Sequence, residues 1–111
     1  PTISNITNVD STTAFDCNYV VTGNIVTFSG TIQINATANT TLTTVTLSLP
    51  VNSNFSNTLE ASGSGYGIRN TSSGGLMISS VGGDSLLQID LISIDSGSVD
   101  YRFSGSYQII S

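Results

Sequence analysis

Histidine and lysine are both absent from this sequence of 111 residues. Without histidine, the chain has no imidazole general base, no Ser-His-Asp or Cys-His arrangement and no zinc site of the ordinary type. The cationic side chains are Arg69 and Arg102, which against seven acidic residues give a net charge of −5. A surface that follows phosphate groups needs clustered Lys or Arg, so the composition argues against binding to nucleic acid or to an anionic membrane surface.

Charge of either sign and long apolar runs are also scarce. Charged residues make up 8% of the chain, whereas ordinary globular domains have about 25%. No apolar run approaches the roughly 20 residues of a membrane span, so we expect no insertion into a membrane. The abundant Ser, Thr and Asn residues indicate an uncharged hydroxyl and amide surface, which suits proteins that work outside the cytoplasm, such as adhesins and virion parts.

The sequence does contain segments in which apolar and polar residues alternate, most clearly at residues 19–36. Two alternating strands are joined there by a tight turn at Gly23-Asn24, and both turn residues tolerate the positive φ that a two-residue hairpin needs. Successive side chains of a strand point to opposite faces, so the second strand has one polar and one apolar face. The apolar face consists of Val26, Phe28, Gly30, Ile32, Ile34 and Ala36. We predict an antiparallel hairpin of residues 15–22 and 25–36.

The one cysteine, Cys17, excludes an internal disulfide. Together with Tyr19 and Val21 it takes every second position of the first hairpin strand, on the apolar register. We therefore expect Cys17 to be a small buried core residue rather than a reactive or intermolecular thiol.

The rest of the chain repeats the alternation at short intervals. Further strands are predicted at residues 44–49, 59–68, 76–81, from residue 87, and 99–109, with turns at residues 10–13, 70–75 and 82–84. The strand at residues 59–68 carries Gly63, Gly65 and Gly67 in one register, which leaves room for another backbone or a bulky side chain, such as an aromatic residue of the last strand. Phe55 is the one large apolar group in the connection at residues 51–58, and we expect it in the core.

These features predict an all-β protein, an antiparallel β-sandwich or jelly roll of about 7–8 strands. A length of 111 residues fits one domain. We expect residues 1–13 to form an N-terminal arm or short edge strand and residues 14–111 to form a single β-sandwich domain.

Carboxylates are the remaining residues that could support catalysis, because a glycosidase needs two of them about 5 to 9 Å apart. The C-terminal third holds Asp84, Asp90, Asp95 and Asp100. These residues fall at turns or on solvent-facing registers, where Asp usually forms a turn or adds surface charge. No stretch has the alternating Asp and Asn pattern of a calcium loop, although Asp95 with Asp100, or Asp10 with Asp16, could meet across loops. We expect no catalytic residue, no cofactor and no metal site.

One cluster has the composition of a sugar-binding surface, in which an exposed aromatic ring lies beside amide, hydroxyl or charged groups. Tyr66 lies opposite the glycine register, and Arg69 and Asn70 follow in the adjacent turn. These three residues are the candidate ligand-binding site. The alternative is that Tyr66 is ordinary packing and Arg69 an ordinary surface charge.

Three segments of the chain follow recognisable patterns. Residues 21–30, VTGNIVTFSG, are similar to a "G-N-x-V-T-x-S-G" opening. Residues 47–55, LSLPVNSNF, resemble an "L-S-L-P-V-x-S-N-F" centre, and residues 101–109, YRFSGSYQI, resemble an aromatic-rich closing strand. In this order the three segments resemble the C-terminal β-sandwich module of bacteriophage tail-fibre and other virion surface proteins. The likeness covers residues 19–110, and its motifs are structural rather than catalytic.

The resemblance implies an antiparallel sandwich that assembles as a homotrimer with other virion proteins at a fibre tip or spike. The expected function is non-enzymatic host attachment at the virion surface, through a cell-surface glycan. One departure is that no fibre shaft precedes residue 1, which raises the alternative of a capsid or tail decoration protein without receptor binding. A second alternative, of another class, is a glycan-cleaving domain that uses paired carboxylates.

Overall fold

The computed structural model describes residues 2–69, 72–94 and 97–110, and all regular structure among them is β-strand. Eight strands follow one another along the chain. They are β1 (Ile3–Thr7), β2 (Val9–Thr22), β3 (Ile25–Ala36), β4 (Leu42–Ser48), β5 (Ala61–Arg69), β6 (Ser72–Ser80), β7 (Leu86–Ile92) and β8 (Ser98–Gln108).

The eight strands form one continuous sheet in the order β1-β4-β7-β6-β5-β8-β3-β2. Every neighbouring pair in this order is antiparallel. The two end strands meet, because the Thr12 hydroxyl of β2 donates a 2.9 Å hydrogen bond to the Asn5 side chain of β1. The sheet therefore curls around one core and nearly closes into a barrel. The prediction of an all-β antiparallel fold with about 7–8 strands is confirmed.

Asn8 forms the corner at which β1 turns into β2. Its φ is +57°, a left-handed conformation that Asn adopts more readily than most residues. Its side-chain amide donates to the Ala38 carbonyl at 2.9 Å and to the Thr43 hydroxyl at 3.0 Å, and its oxygen accepts from the Ala38 amide at 2.9 Å. These bonds fix the corner to β4 and to the loop that precedes it, so they hold the two ends of the sheet together.

The predicted hairpin is confirmed as β2 and β3, with a two-residue turn between paired Thr22 and Ile25. Gly23 has a φ of +61°, and Asn24 is not in the left-handed region. Positive φ at the first central residue alone is the pattern of a type II′ turn, which favours glycine there. The apolar face predicted for β3 points into the core, where Val26, Phe28, Ile32 and Ile34 are buried.

The glycine register of β5 lies beside the aromatic register of β8, which is one of the arrangements left open by the sequence. Gly67 pairs with Tyr101, whose ring is 1% exposed. A Cβ at Gly67 would lie only 2.6 Å from two carbons of that ring. Phe28 also packs against Phe103 and Tyr107, with ring centroids 6.2 and 6.1 Å apart. The rings of β8 therefore occupy the space that the glycines of β5 leave open.

The long connection between β4 and β5 is attached to the core by buried side chains. Phe55 is 2% exposed and packs edge-on against Tyr107, with ring centroids 5.7 Å apart, so its predicted core position is confirmed. The Tyr107 hydroxyl donates to the Val51 carbonyl at 2.6 Å and accepts from the Val51 amide at 3.1 Å. The hydroxyl of Ser53, 1% exposed, donates to the Gln108 carbonyl at 2.8 Å. The connection thus closes one end of the sheet.

Three sequence expectations are wrong. Cys17 is exposed rather than buried; it lies on the predicted face of β2, but no strand among the described residues covers that part of β2. Residues 10–13 are strand rather than turn, because the second half of β3 supplies a partner for them. The turn predicted at residues 70–75 is too long, since β6 begins at Ser72. Gly74 is a packing residue there, because a Cβ would lie 2.5 Å from the Ile94 side chain.

Candidate functional site

Tyr66 projects from the outer face of β5, opposite to the glycine register. Its side chain is 55% exposed. It pairs with Gly75 of β6 on one side and with Arg102 of β8 on the other. Because Gly75 has no side chain, the ring has a bare strand on one flank and a cation on the other. We call the outer surface formed by Ser64, Tyr66, Ile68, Gly75 and Arg102 the Tyr66 face.

The structure does not bring the three predicted site residues together on this face. Arg69 is three residues from Tyr66, so strand alternation directs it to the opposite side of β5. Its guanidinium donates to the Ser98 carbonyl at 2.7 Å, and it lies beside Gly97. Asn70 lies outside the described residues. Of the predicted set, Tyr66 alone lies on an open outer surface among the described residues.

Arg102 is the functional candidate that sequence reasoning missed. It is exposed on the outer face of β8, directly across from Tyr66. The available signal was the outward register of Arg102 between Tyr101 and Phe103. That signal identifies no neighbour, because the pairing of β5 with β8 joins residues that are 36 apart in the sequence.

Hydroxyl and amide groups continue from the Tyr66 face across the neighbouring strands. Ser64 of β5 pairs with Ser104 of β8, which pairs with Ser29 of β3, which pairs with Asn18 of β2. A parallel row contains Ser62, Ser106 and Thr27. Neither row contains a charged residue. The outer surface beside Tyr66 and Arg102 therefore carries rows of uncharged groups that both donate and accept hydrogen bonds, with the exposed side chains of Met77 and Val20 next in these rows.

Asp90 and Asp100, two of the carboxylates considered for catalysis, lie apart and have neutral partners. Asp90 accepts from the Thr44 hydroxyl at 2.8 Å and from the Gln88 amide at 2.9 Å, and Asp100 accepts from the Gln33 amide at 3.1 Å. Two strands, β6 and β5, separate β7 from β8, a lateral spacing of about 14 Å. That exceeds the 5 to 9 Å of a paired-carboxylate site. Asp95 lies outside the described residues.

Glu60 is the carboxylate with the most hydrogen bonds to its own loop. One of its oxygens accepts from the Ser56 hydroxyl at 2.7 Å, the Ser56 amide at 2.6 Å and the Asn57 amide at 2.8 Å. These bonds, the Ser56 side chain first, lower the pKa of Glu60 from its ordinary value. Because every donor belongs to the adjacent turn, Glu60 orders the entry to β5 and is not a catalytic candidate.

The described residues contain no group of three or more His, Cys, Asp or Glu side chains that could hold a metal ion. Within the same residues there is no helix of the length and apolarity that crossing a membrane requires. No family model, no curated protein and no solved structure matches the chain. The site must therefore be interpreted from its own geometry.

Proposed function

We propose that this protein is a non-enzymatic phage virion surface protein, a fibre-tip or spike module that attaches the particle to its host through a cell-surface glycan. The proposal of glycan binding rests on the Tyr66 face, where a half-exposed ring lies between a glycine and an arginine. The resemblance of three segments to virion modules supports the placement on a particle.

The chemistry of the Tyr66 face suits a sugar ring. A tyrosine ring offers an apolar surface for the C–H face of a sugar and a hydroxyl for its polar edge. The guanidinium of Arg102 has five donors and no acceptor, so it can bind sugar hydroxyls or the carboxylate of an acidic sugar. The adjacent serine hydroxyls add groups that both donate and accept. No deep pocket is needed, because a shallow platform gives the weak single-site binding expected here.

A homotrimer would convert this weak binding into firm attachment. Linked sites bind a multivalent surface with an avidity about 10²–10⁴-fold above the single-site affinity. Size-exclusion chromatography with light scattering tests the assembly, and we expect the protein to elute as an oligomer of three chains at micromolar concentration. A strict monomer under these conditions would contradict the trimer.

A printed array of bacterial surface glycans tests the binding. We expect the wild-type protein to bind a subset of these glycans, and Tyr66→Ala to lose about tenfold in affinity, the loss of one aromatic contact. Arg102→Gln should weaken binding most for acidic glycans. Tyr19→Ala is the matched control, because Tyr19 is 51% exposed but lies on the other side of the sheet.

Two results would contradict the proposal. One is that no glycan on the array binds, and the other is that Tyr66→Ala and Tyr19→Ala lose binding equally. Particles that lack this chain should adsorb poorly to the host. Normal adsorption by such particles would instead favour a decoration protein without receptor binding.

A further inference from the structure

The near-closed sheet has an open seam along the second half of β2. β1 has five residues and β2 has fourteen, so β1 can line only the first part of β2. The register of β2 shifts between Ala14 and Cys17, and from Cys17 to Thr22 the strand pairs with β3. On its other side, this segment has no strand partner among the residues that the structure describes.

The seam opens onto the core through a cleft of about 300 Å³. One wall is the inner face of β2, where Cys17 and Tyr19 pair with Gly30 and Phe28. The opposite wall is the end of β4 and the segment after it, and core side chains form the floor. The wall and floor residues are Leu47, Leu49, Pro50, Leu87 and Phe103. None of the residues that line the cleft is charged.

The backbone at the seam is ready to pair. Thr22 and Ile25 flank the two-residue turn and form a hydrogen-bonded pair. Along an antiparallel ladder, hydrogen-bonded pairs alternate with pairs that are not hydrogen-bonded. By this alternation Cys17, Tyr19 and Val21 direct their N–H and C=O groups away from β3, toward the free edge. Natural edge strands are usually protected by lysine, proline or an inward charge. Residues 17–25 contain none of these.

We propose that this seam accepts one extended strand from another polypeptide, uncharged and with apolar residues at alternate positions. An empty apolar cavity of about 150 Å³ holds a benzene-sized group, so this cleft has room for two such side chains. Residues two apart on an added strand point to the same face, which supplies two inward groups. The uncharged lining requires an uncharged segment. A second copy would have to pair through one of its own edge strands, since all eight described strands already belong to the sheet; protection of Cys17 in the absence of peptide tests that arrangement.

Cys17 provides a direct measurement, because it lines the cleft and is the only cysteine. The experiment follows alkylation of Cys17 by a small maleimide in the full chain, with increasing acetyl-Thr-Val-Thr-Phe-Thr-Val-Thr-amide. The control peptide has the same composition with its apolar residues in one block. We expect saturable protection of at least about tenfold by the alternating peptide and less than about twofold by the control, as for β-strand addition.

Two substitutions test the location. Tyr19→Lys places a charge in the cleft and should lower the affinity for the alternating peptide at least about tenfold. Thr27→Lys is the matched control, since Thr27 is exposed on the outer face of β3, next to Val20 but not on the edge strand; it should change the affinity less than about threefold. Circular dichroism confirms that both variants are folded.

Three outcomes would overturn the proposal: no protection at millimolar peptide, equal protection by both peptides, or protection of Cys17 by self-association in the absence of peptide. The last outcome would assign the seam to a second copy of the chain. The seam and the Tyr66 face are different surfaces, so failure of glycan binding would leave this inference standing.

Discussion

Gly67→Ala tests the central packing idea, that the rings of β8 occupy the space left by the glycines of β5. The added Cβ would lie 2.6 Å from two ring carbons of Tyr101 and 3.0 Å from the Asp100 carbonyl. Ordinary carbon contacts are about 3.5–4.0 Å, so the ring would have to move by about 1 Å. Tyr101 is 1% exposed, and the surrounding core gives it little room.

The magnitude follows from two opposing effects. Overpacking of a close-packed core costs about 1–3 kcal/mol. Replacement of glycine by alanine at a compatible position stabilises by about 0.4–1 kcal/mol, through the unfolded state. We therefore expect Gly67→Ala to lower the free energy of unfolding by about 1–2 kcal/mol.

Gly75→Ala is the matched control, because it makes the same change in the neighbouring strand. The nearest atom to its added Cβ is the Gly65 carbonyl oxygen at 3.5 Å, an ordinary contact. This variant should be neutral or slightly stabilised, which puts the two variants about 2 kcal/mol apart. Urea denaturation resolves that gap as a midpoint difference of about 1 M. Equal midpoints would refute the packing of Tyr101 over Gly67 and the β5–β8 register on which it depends.

Three further predictions concern loops and protonation. Tyr107→Phe leaves both polar groups of Val51 without their partner and should cost about 1–3 kcal/mol in urea denaturation. Burial raises the pKa of Tyr101 and Tyr107 above 10.0; the folded state therefore keeps these protons longer, and stability should be intact below pH 10.0 and fall as the pH rises above it. The pKa of Glu60 is lowered in the folded state, so ionised Glu60 stabilises the fold above pH 4.5. This stabilisation is lost as the pH falls through the pKa of Glu60 in the folded state, and Glu60→Gln should therefore weaken the acid dependence of the urea midpoint. An unchanged acid dependence would show that the Ser56 bonds do not persist in solution.

Features that depend on alternation within one strand were predictable from the sequence. The inward face of β3 and the open glycine face of β5 both follow from side chains that point to opposite faces. Phe55 was predictable for a related reason, as a lone large apolar group in a polar connection. In each case, local chemistry and the folded position agree.

Features that depend on which strands become neighbours were not predictable. Cys17 has the apolar register that the sequence indicates, but β1 is too short to cover it, and strand length at the far edge leaves no local signal. Arg102 lies beside Tyr66 only because β5 and β8 pair. The corner role of Asn8 depends on bonds to Ala38 and Thr43, about thirty residues away. The alternation of polar and apolar residues determines which face of a strand each side chain lies on, whereas the pairing and closure of the sheet determine which residues that side chain contacts.

The geometry of the sheet also indicates that its two candidate surfaces can be occupied together. β8 and β3 separate β5 from β2, so the strands that carry Tyr66 and the seam are about 14 Å apart in lateral spacing. Tyr66 projects outward from β5, whereas Cys17 and Tyr19 line the inner face of β2. A strand added at the seam would pair with the backbone of β2 and fill the cleft from within, and a glycan on the Tyr66 face would meet neither. The proposed strand at the seam and the proposed glycan on the Tyr66 face can therefore bind without displacing each other.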